Sequence, residues 1–251
     1  MISMIRDNNK IALVEIFKSI DGEAFHSGQP TVFVRTFGCC CRCSYCDSAY
    51  TFDEDKHFEL YGDLIWMTAK EIFDKVESLE KGFKYKSICL TGGEPFMEEN
   101  KDFMLNDFIP LFIENGYAVN VETCGAVDYK DYKDKFGEPS LLDGYGNRKG
   151  LTIIADWKLP SSKMNRKMIA SNLSLYSPND IVKMVVSDDV EDWEEVTRVC
   201  ENTKAKIFLS PVFDKVEMKK IPEYVMSHPQ FNITAQLQIH KFFWEPEKIG
   251  V

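Results

Sequence analysis

Gly38-Cys39-Cys40-Cys41-Arg42-Cys43-Ser44-Tyr45-Cys46-Asp47-Ser48 holds five of the chain's eight cysteines within eight positions. Cys39, Cys43 and Cys46 are spaced C-x3-C-x2-C, so one short loop can aim three thiolates at a single point. Thiolates are soft ligands that suit iron–sulfur clusters or zinc. Both usually take a fourth protein ligand, yet the nearest histidines are the distant His26 and His57. Three clustered thiols without a local fourth point to a cluster with one iron open to a substrate or cofactor. Cys40, Cys43 and Cys46 also form a C-x2-C-x2-C run, as at the start of a bacterial ferredoxin motif. Spacing alone does not choose between Cys39 and Cys40. A structural zinc loop is the plain alternative.

Outward from this loop, the whole chain sets bounds. Its 251 residues allow one large domain or two small ones, and 44% hydrophobic residues is ordinary for a packed core. A single domain over 1–251 is expected. No run approaches the ~18 apolar residues of a membrane span. The first ten residues carry charge but no apolar h-region, so no signal peptide and no membrane association are expected. Cys89, Cys124 and Cys200 lie far apart, which is no disulfide framework and fits a reducing, cytoplasmic compartment. A net charge of −10 argues against a nucleic-acid surface. An anionic substrate would need a locally basic pocket.

β-rich runs alternate with helical patterns. Residues 11–17 and 31–37 read as strands, and the cysteine loop follows the second directly. Residues 68–80 read as a helix, with Thr68 and Glu71 as a capping box and an apolar face of Ala69, Ile72, Phe73, Val76 and Leu79. A strand over 86–91 ends in Gly92-Gly93-Glu94-Pro95. A helix over 102–115 contains Pro110, which should kink or split it. Strands are expected over 117–122, 151–157, 181–186, 205–210 and 235–240, and helices over 188–203 and 214–227. Residues 128–150, polar, aromatic and without a period, read as a surface insertion. The alternation implies parallel βαβ units. A closed eight-fold barrel takes ~250 residues, and insertions use many of these, so the expected fold is an α/β, open, partial (β/α) barrel. Ligands of such folds sit at the C-terminal strand ends. The Cys loop, Gly92-Gly93-Glu94, Glu122-Thr123, Lys158 and His240 fall at those ends, which a zinc staple does not explain.

C-x3-C-x2-C after a strand, then Gly-Gly-Glu-Pro after a later one, resembles the radical S-adenosylmethionine (SAM) superfamily. Further segments resemble the 7-carboxy-7-deazaguanine synthase family of queuosine and deazapurine biosynthesis. They are Phe17-Lys18-Ser19-Ile20-Asp21-Gly22-Glu23, Val32 through Cys39, Cys43 through Ser48, Glu122-Thr123-Cys124-Gly125 and Leu237-Gln238-Ile239-His240-Lys241. They run in order from near the start to near the end. The family pattern Arg-x-x-Gly-Cys, here Arg35 with Gly38-Cys39, makes Cys39 the first ligand and leaves Cys40 and Cys41 as spectators.

The resemblance implies a [4Fe–4S] cluster on Cys39, Cys43 and Cys46, with SAM on the open iron. There an electron cleaves SAM to a 5′-deoxyadenosyl radical, and the family regenerates SAM each turnover. It assigns Gly92, Gly93, Glu94, Glu122, Thr123 and Lys158 to SAM. Glu23, Arg35 and His240 fall to the substrate, 6-carboxy-5,6,7,8-tetrahydropterin, which becomes 7-carboxy-7-deazaguanine with loss of ammonia. It also implies Mg2+ at Ser48, a reductant protein such as flavodoxin, and a homodimer. Two departures stand out: Ser48 where Thr is common, and Ala24 where Gly is usual. The rival within this chemistry is a glycyl-radical activating enzyme; the rival from another class is a non-catalytic zinc-binding interaction module.

Overall fold

The computed structural model describes residues 9–138, 140–141, 148–213, 215–245 and 248–251. β1 (Ile11–Ile20) and β2 (Pro30–Thr36) pair antiparallel, with Glu15 opposite Arg35. β3 (Ile65–Met67) pairs antiparallel with the start of β1. From β2 onward the main sheet is parallel and its strands follow in chain order: β4 (Ser87–Gly92), β5 (Ala118–Cys124), β7 (Arg148–Asp156), β8 (Ile181–Val186), β9 (Lys206–Pro211) and β10 (Ile233–Ala235). β6 (Ser140–Leu141) attaches antiparallel to β7.

Addition in chain order makes the sheet barrel-like. Each parallel strand joins on the same side of the last, and crossovers are right-handed. The helices therefore stay on one face and the sheet curls around the other. Among the described residues β10 and β3 end the strand order and no pairing joins them, so the barrel is open and partial. The antiparallel β1 and β3 depart from the all-parallel expectation. Residues 21–29 between β1 and β2 are too few for a parallel crossover of about a dozen residues.

Local signals place most elements. The helix Ala69–Leu79 carries the expected capping box: Thr68 Oγ1 accepts from the Glu71 N–H at 3.2 Å, and Glu71 accepts from the Thr68 N–H at 2.8 Å. Its Ile72 and Val76 are buried against the sheet. The helix from Lys101 to Glu114 continues through Pro110 rather than breaking there. A π-helical turn, Met104–Phe108, shifts the hydrogen-bond register just ahead of the proline.

Three expectations are corrected. Residues 235–240 are not a strand: β10 is Ile233–Ala235, and His240 opens the short helix His240–Phe243. Residues 128–150 are not purely surface, because Tyr129 and Tyr132 are buried and Tyr132 stacks on Phe96 at 3.9 Å. Within that stretch 139 and 142–147 lie outside the described residues. A helix, Glu54–Tyr61, also follows the cysteine loop unforeseen, capped by Asp53, which accepts from the Lys56 N–H. The helix expected over 214–227 forms as Lys220–Ser227, and residue 214 lies outside the described residues. Among the described residues no helix is long and apolar enough to cross a membrane.

Candidate active site

A cavity of about 880 Å³ opens at the C-terminal ends of the parallel strands. Cys39, Cys43 and Cys46 line it, as do Glu23, Arg35 and His240. A smaller cavity, about 220 Å³, lies at the opposite ends of β2 and β4 beside Thr31 and Ser87 and holds none of these residues.

The cysteine loop is held by the turn after β4. The Gly93 N–H donates to the Thr36 carbonyl at 3.2 Å and the Glu94 N–H to the Gly38 carbonyl at 2.7 Å. A Cβ on Gly93 would collide with the Gly38 carbonyl, and one on Gly92 with the Thr36 backbone. Gly92 also has φ +128°, which side-chain-bearing residues rarely adopt. Both glycines are therefore required for the loop to lie on the turn. Cys39 faces the cavity, whereas Cys40 is absent from its wall and lies 3.8 Å from Cys124, sulfur to sulfur. Burial raises the thiol pKa of Cys43 and of Cys46. A metal binding there would displace the thiol protons.

Around the wall, acids and bases alternate. Lys183 is buried on β8 and ion-pairs with Glu23, with Glu122 at 3.7 Å on its other side. One Glu23 oxygen, Oε1, is buried without a hydrogen-bond partner. Asp21 beside it is 4% exposed, and burial, then the Glu122 charge, pushes its carboxyl up to about 7. The His240 ring packs so closely on Gly22 that any Cβ there would overlap Nδ1, and burial lowers its pKa. Arg35 donates from Nε to Glu15 at 2.9 Å, with Phe17 and Tyr50 rings beside the guanidinium. Lys158 pairs with Asp156 at 2.8 Å; burial opposes its charge, but Asp156 outweighs that and holds its pKa well above the usual lysine range. Partial desolvation opposes ionisation of the exposed Asp47, but Lys241 at 3.2 Å, the Ser48 hydroxyl and Arg35 together outweigh it, so its pKa lies below the ordinary value. Ser48 donates to Asp47 at 2.9 Å.

Of the residues singled out in the sequence, all but Glu94 meet on this wall. Glu94 is fully buried and its oxygens accept from the Phe96 N–H, the Cys124 N–H and the Thr123 hydroxyl. Its side chain lies behind the site, tying the β4 turn to the end of β5. Thr123 reaches the wall, but its hydroxyl is spent on Glu94, and Glu122 accepts from Thr91 at 2.7 Å. Sequence reading missed Asp21, Asp47, Asp156 and Lys183. Lys183 had a signal: it is the single charge inside the apolar run Ile181-Val182-Lys183-Met184-Val185-Val186, and a lysine there needs a partner.

The Radical SAM superfamily profile matches residues 33–140. The chain is 33% identical over 242 residues to the 7-carboxy-7-deazaguanine synthase of Clostridium acetobutylicum, covering 95% of this chain and 98% of that one. It belongs to the 7-carboxy-7-deazaguanine synthase family. The family's enzyme from Koribacter versatilis is 30% identical over 95% of this chain and 99% of its own, and that from Bacillus subtilis 36% identical over 73% and 69%. The crystal structure of QueE from Escherichia coli shares the fold at a TM-score of 0.61 and 16% identity, covering 92% of this chain and 99% of that one. This member of the family is an enzyme of the radical SAM lyase type, and its cofactors are a [4Fe–4S] cluster and SAM. Neither the activating-enzyme reading nor the zinc-module reading is favoured by these relatives. The residues fit the cofactors: the thiols of Cys39, Cys43 and Cys46 border one cavity, and beside them the Gly92-Gly93 backbone is bare of side chains.

Proposed function

We propose that this enzyme converts 6-carboxy-5,6,7,8-tetrahydropterin to 7-carboxy-7-deazaguanine with loss of ammonia. The observation that carries the reading is one cavity bordered on one side by Cys39, Cys43 and Cys46 and on the other by Glu23, Arg35 and His240. When bound, the cluster and SAM supply a radical able to take hydrogen from C6 of the pterin. The protein's part is to hold and orient. Cys39, Cys43 and Cys46 hold the cluster. The backbone of Gly92 and Gly93, the Thr123 backbone, Glu122 and Lys158 line the SAM end. Glu23 accepts from pterin N–H groups through the oxygen left without a partner. Arg35, its Nε held by Glu15, meets the substrate carboxylate with its terminal nitrogens. His240, kept neutral by burial, donates or accepts a hydrogen bond at the ring. Anaerobic turnover of the pterin with SAM and dithionite tests the reading: mass spectrometry should find 7-carboxy-7-deazaguanine, and an unconsumed pterin under conditions that cleave SAM would defeat it.

Three expected results extend the proposal. Arg35→Ala should lose roughly two to four orders of magnitude in kcat/KM, because removing one partner of a buried charged pair costs ~3–5 kcal/mol. Arg35→Lys should recover little, since an ammonium cannot form two parallel hydrogen bonds. Wild-type kcat/KM in Arg35→Ala would remove the carboxylate contact. Mg2+ is proposed at Ser48, whose hydroxyl sits with Asp47, a hard oxygen pair suited to such a cation. Mg2+ should raise turnover, and Ser48→Ala should blunt the response; an unchanged Mg2+ response would remove Ser48 as a ligand. The reductant is proposed to be a flavodoxin-like protein, and the assembly a homodimer, since the open barrel leaves the β10 and β3 edges for a partner. Light scattering at micromolar concentration should give a dimer mass, and a monomer mass refutes it.

A further inference from the structure

Three cysteines outside the C-x3-C-x2-C set converge at the cavity wall, which Cys41 and Cys124 line and Cys40 does not. The sulfurs of Cys40, Cys41 and Cys124 all lie within 4.8 Å of one another. Cys124 Sγ is 3.8 Å from that of Cys40 and 3.7 Å from that of Cys41. Cys41 and Cys124 are 2% and 6% exposed, and Cys40 is half-buried. A tetrahedral ion with metal–sulfur bonds of about 2.3 Å sets its ligand sulfurs ~3.8 Å apart. Two edges of the triangle therefore already have the length that such an ion requires.

The backbone builds this triangle. Cys40 and Cys41 follow β2, Cys124 ends β5, and β4 lies between them in the sheet. The loop crosses the end of β4 by resting Gly38 on Gly93, where a side chain would collide. That crossing carries Cys40 and Cys41 to Cys124. Arg42 donates to the carbonyls of Cys39 and Cys41 at 2.7 and 2.6 Å, and Lys167 donates to the Cys40 carbonyl.

We infer that Cys40, Cys41 and Cys124 form a second metal site, for a thiophilic d10 cation such as Zn2+, distinct from the cluster ligands. Binding releases the thiol protons to solvent and changes no oxidation state. Three sulfurs come from the protein, which leaves the fourth position of a tetrahedral ion for water or a small ligand. The ion ties the loop that carries Cys39 to the end of β5. This inference stands apart from the pterin assignment, since it uses none of the proposed substrate residues.

The test uses the holoenzyme, cluster in place, prepared anaerobically, washed with chelator, exposed to Zn2+ and desalted. Metal analysis should find about one zinc per chain with iron unchanged. X-ray absorption at the zinc edge should find three sulfurs at about 2.3 Å. Cys124→Ser and, independently, Cys40→Ser should lose the zinc and keep the iron, while Cys200→Ser, a buried cysteine elsewhere, should keep both. Should Cys124→Ser fail to fold, the half-buried Cys40→Ser decides. Zinc retained equally in Cys40→Ser, iron displaced as zinc enters, fewer than three sulfurs at the zinc, or a Cys124 disulfide in the anaerobic wild type would each overturn the site.

Discussion

Cys39→Ala should purify without its iron–sulfur cluster, falling from about four irons per chain to near none, and its turnover should fall to background. The same holds for Cys43→Ala and Cys46→Ala. Cys40→Ala should keep its iron. The motive is geometric: Cys39, Cys43 and Cys46 border the cavity, whereas Cys40 is absent from its wall and contacts Cys124. Two thiolates do not hold a cluster that three are needed to anchor, so the loss is all-or-none. Iron counting and the EPR spectrum of the reduced protein measure it. Loss of iron from Cys40→Ala with retention in Cys39→Ala would reverse the ligand assignment.

Lys183→Met should cost ~3–5 kcal/mol of stability, the cost of breaking a buried ion pair from one side. In a chain of this length that corresponds to a fall in Tm of roughly 6–20 °C. Lys183 and Glu23 have side chains 7% and 8% exposed, and the lysine is the shared cation of Glu23 and Glu122. Removing it leaves two carboxylates facing each other beside Asp21, whose carboxyl burial already pushes up to about 7. Glu23→Gln together with Lys183→Met should regain much of the loss, because neither member of the pair then leaves its partner's charge buried. Anaerobic thermal unfolding followed by circular dichroism reads both. A Tm for Lys183→Met equal to that of wild type would mean that the pair is solvated in the folded protein.

The sequence by itself determined what depends on neighbours in the chain. The capping box of Thr68 and Glu71 is four residues long, the cysteine spacing lies within one loop, and each strand of the parallel sheet is an apolar run bounded by turns. These signals are local because helix caps, turns and short-range ligand spacing are set by backbone geometry over a few residues. The open barrel followed from their alternation.

Only the tertiary structure decided which groups meet. Strand periodicity tells which side of a sheet a residue faces but not what stands opposite. Lys183 finds Glu23 across 160 positions, and Arg35 finds Glu15 because β1 turned out antiparallel to β2. His240 was read as the end of a strand, yet it starts a short helix pressed against Gly22. Glu94 looked like a ligand residue from its motif, but three donors from its own turn and β5 claim its oxygens. The contacts of Cys40 and Cys41 with Cys124 have the same origin: they exist because a loop can cross the end of β4 on a bare glycine, a fact of packing that no spacing records.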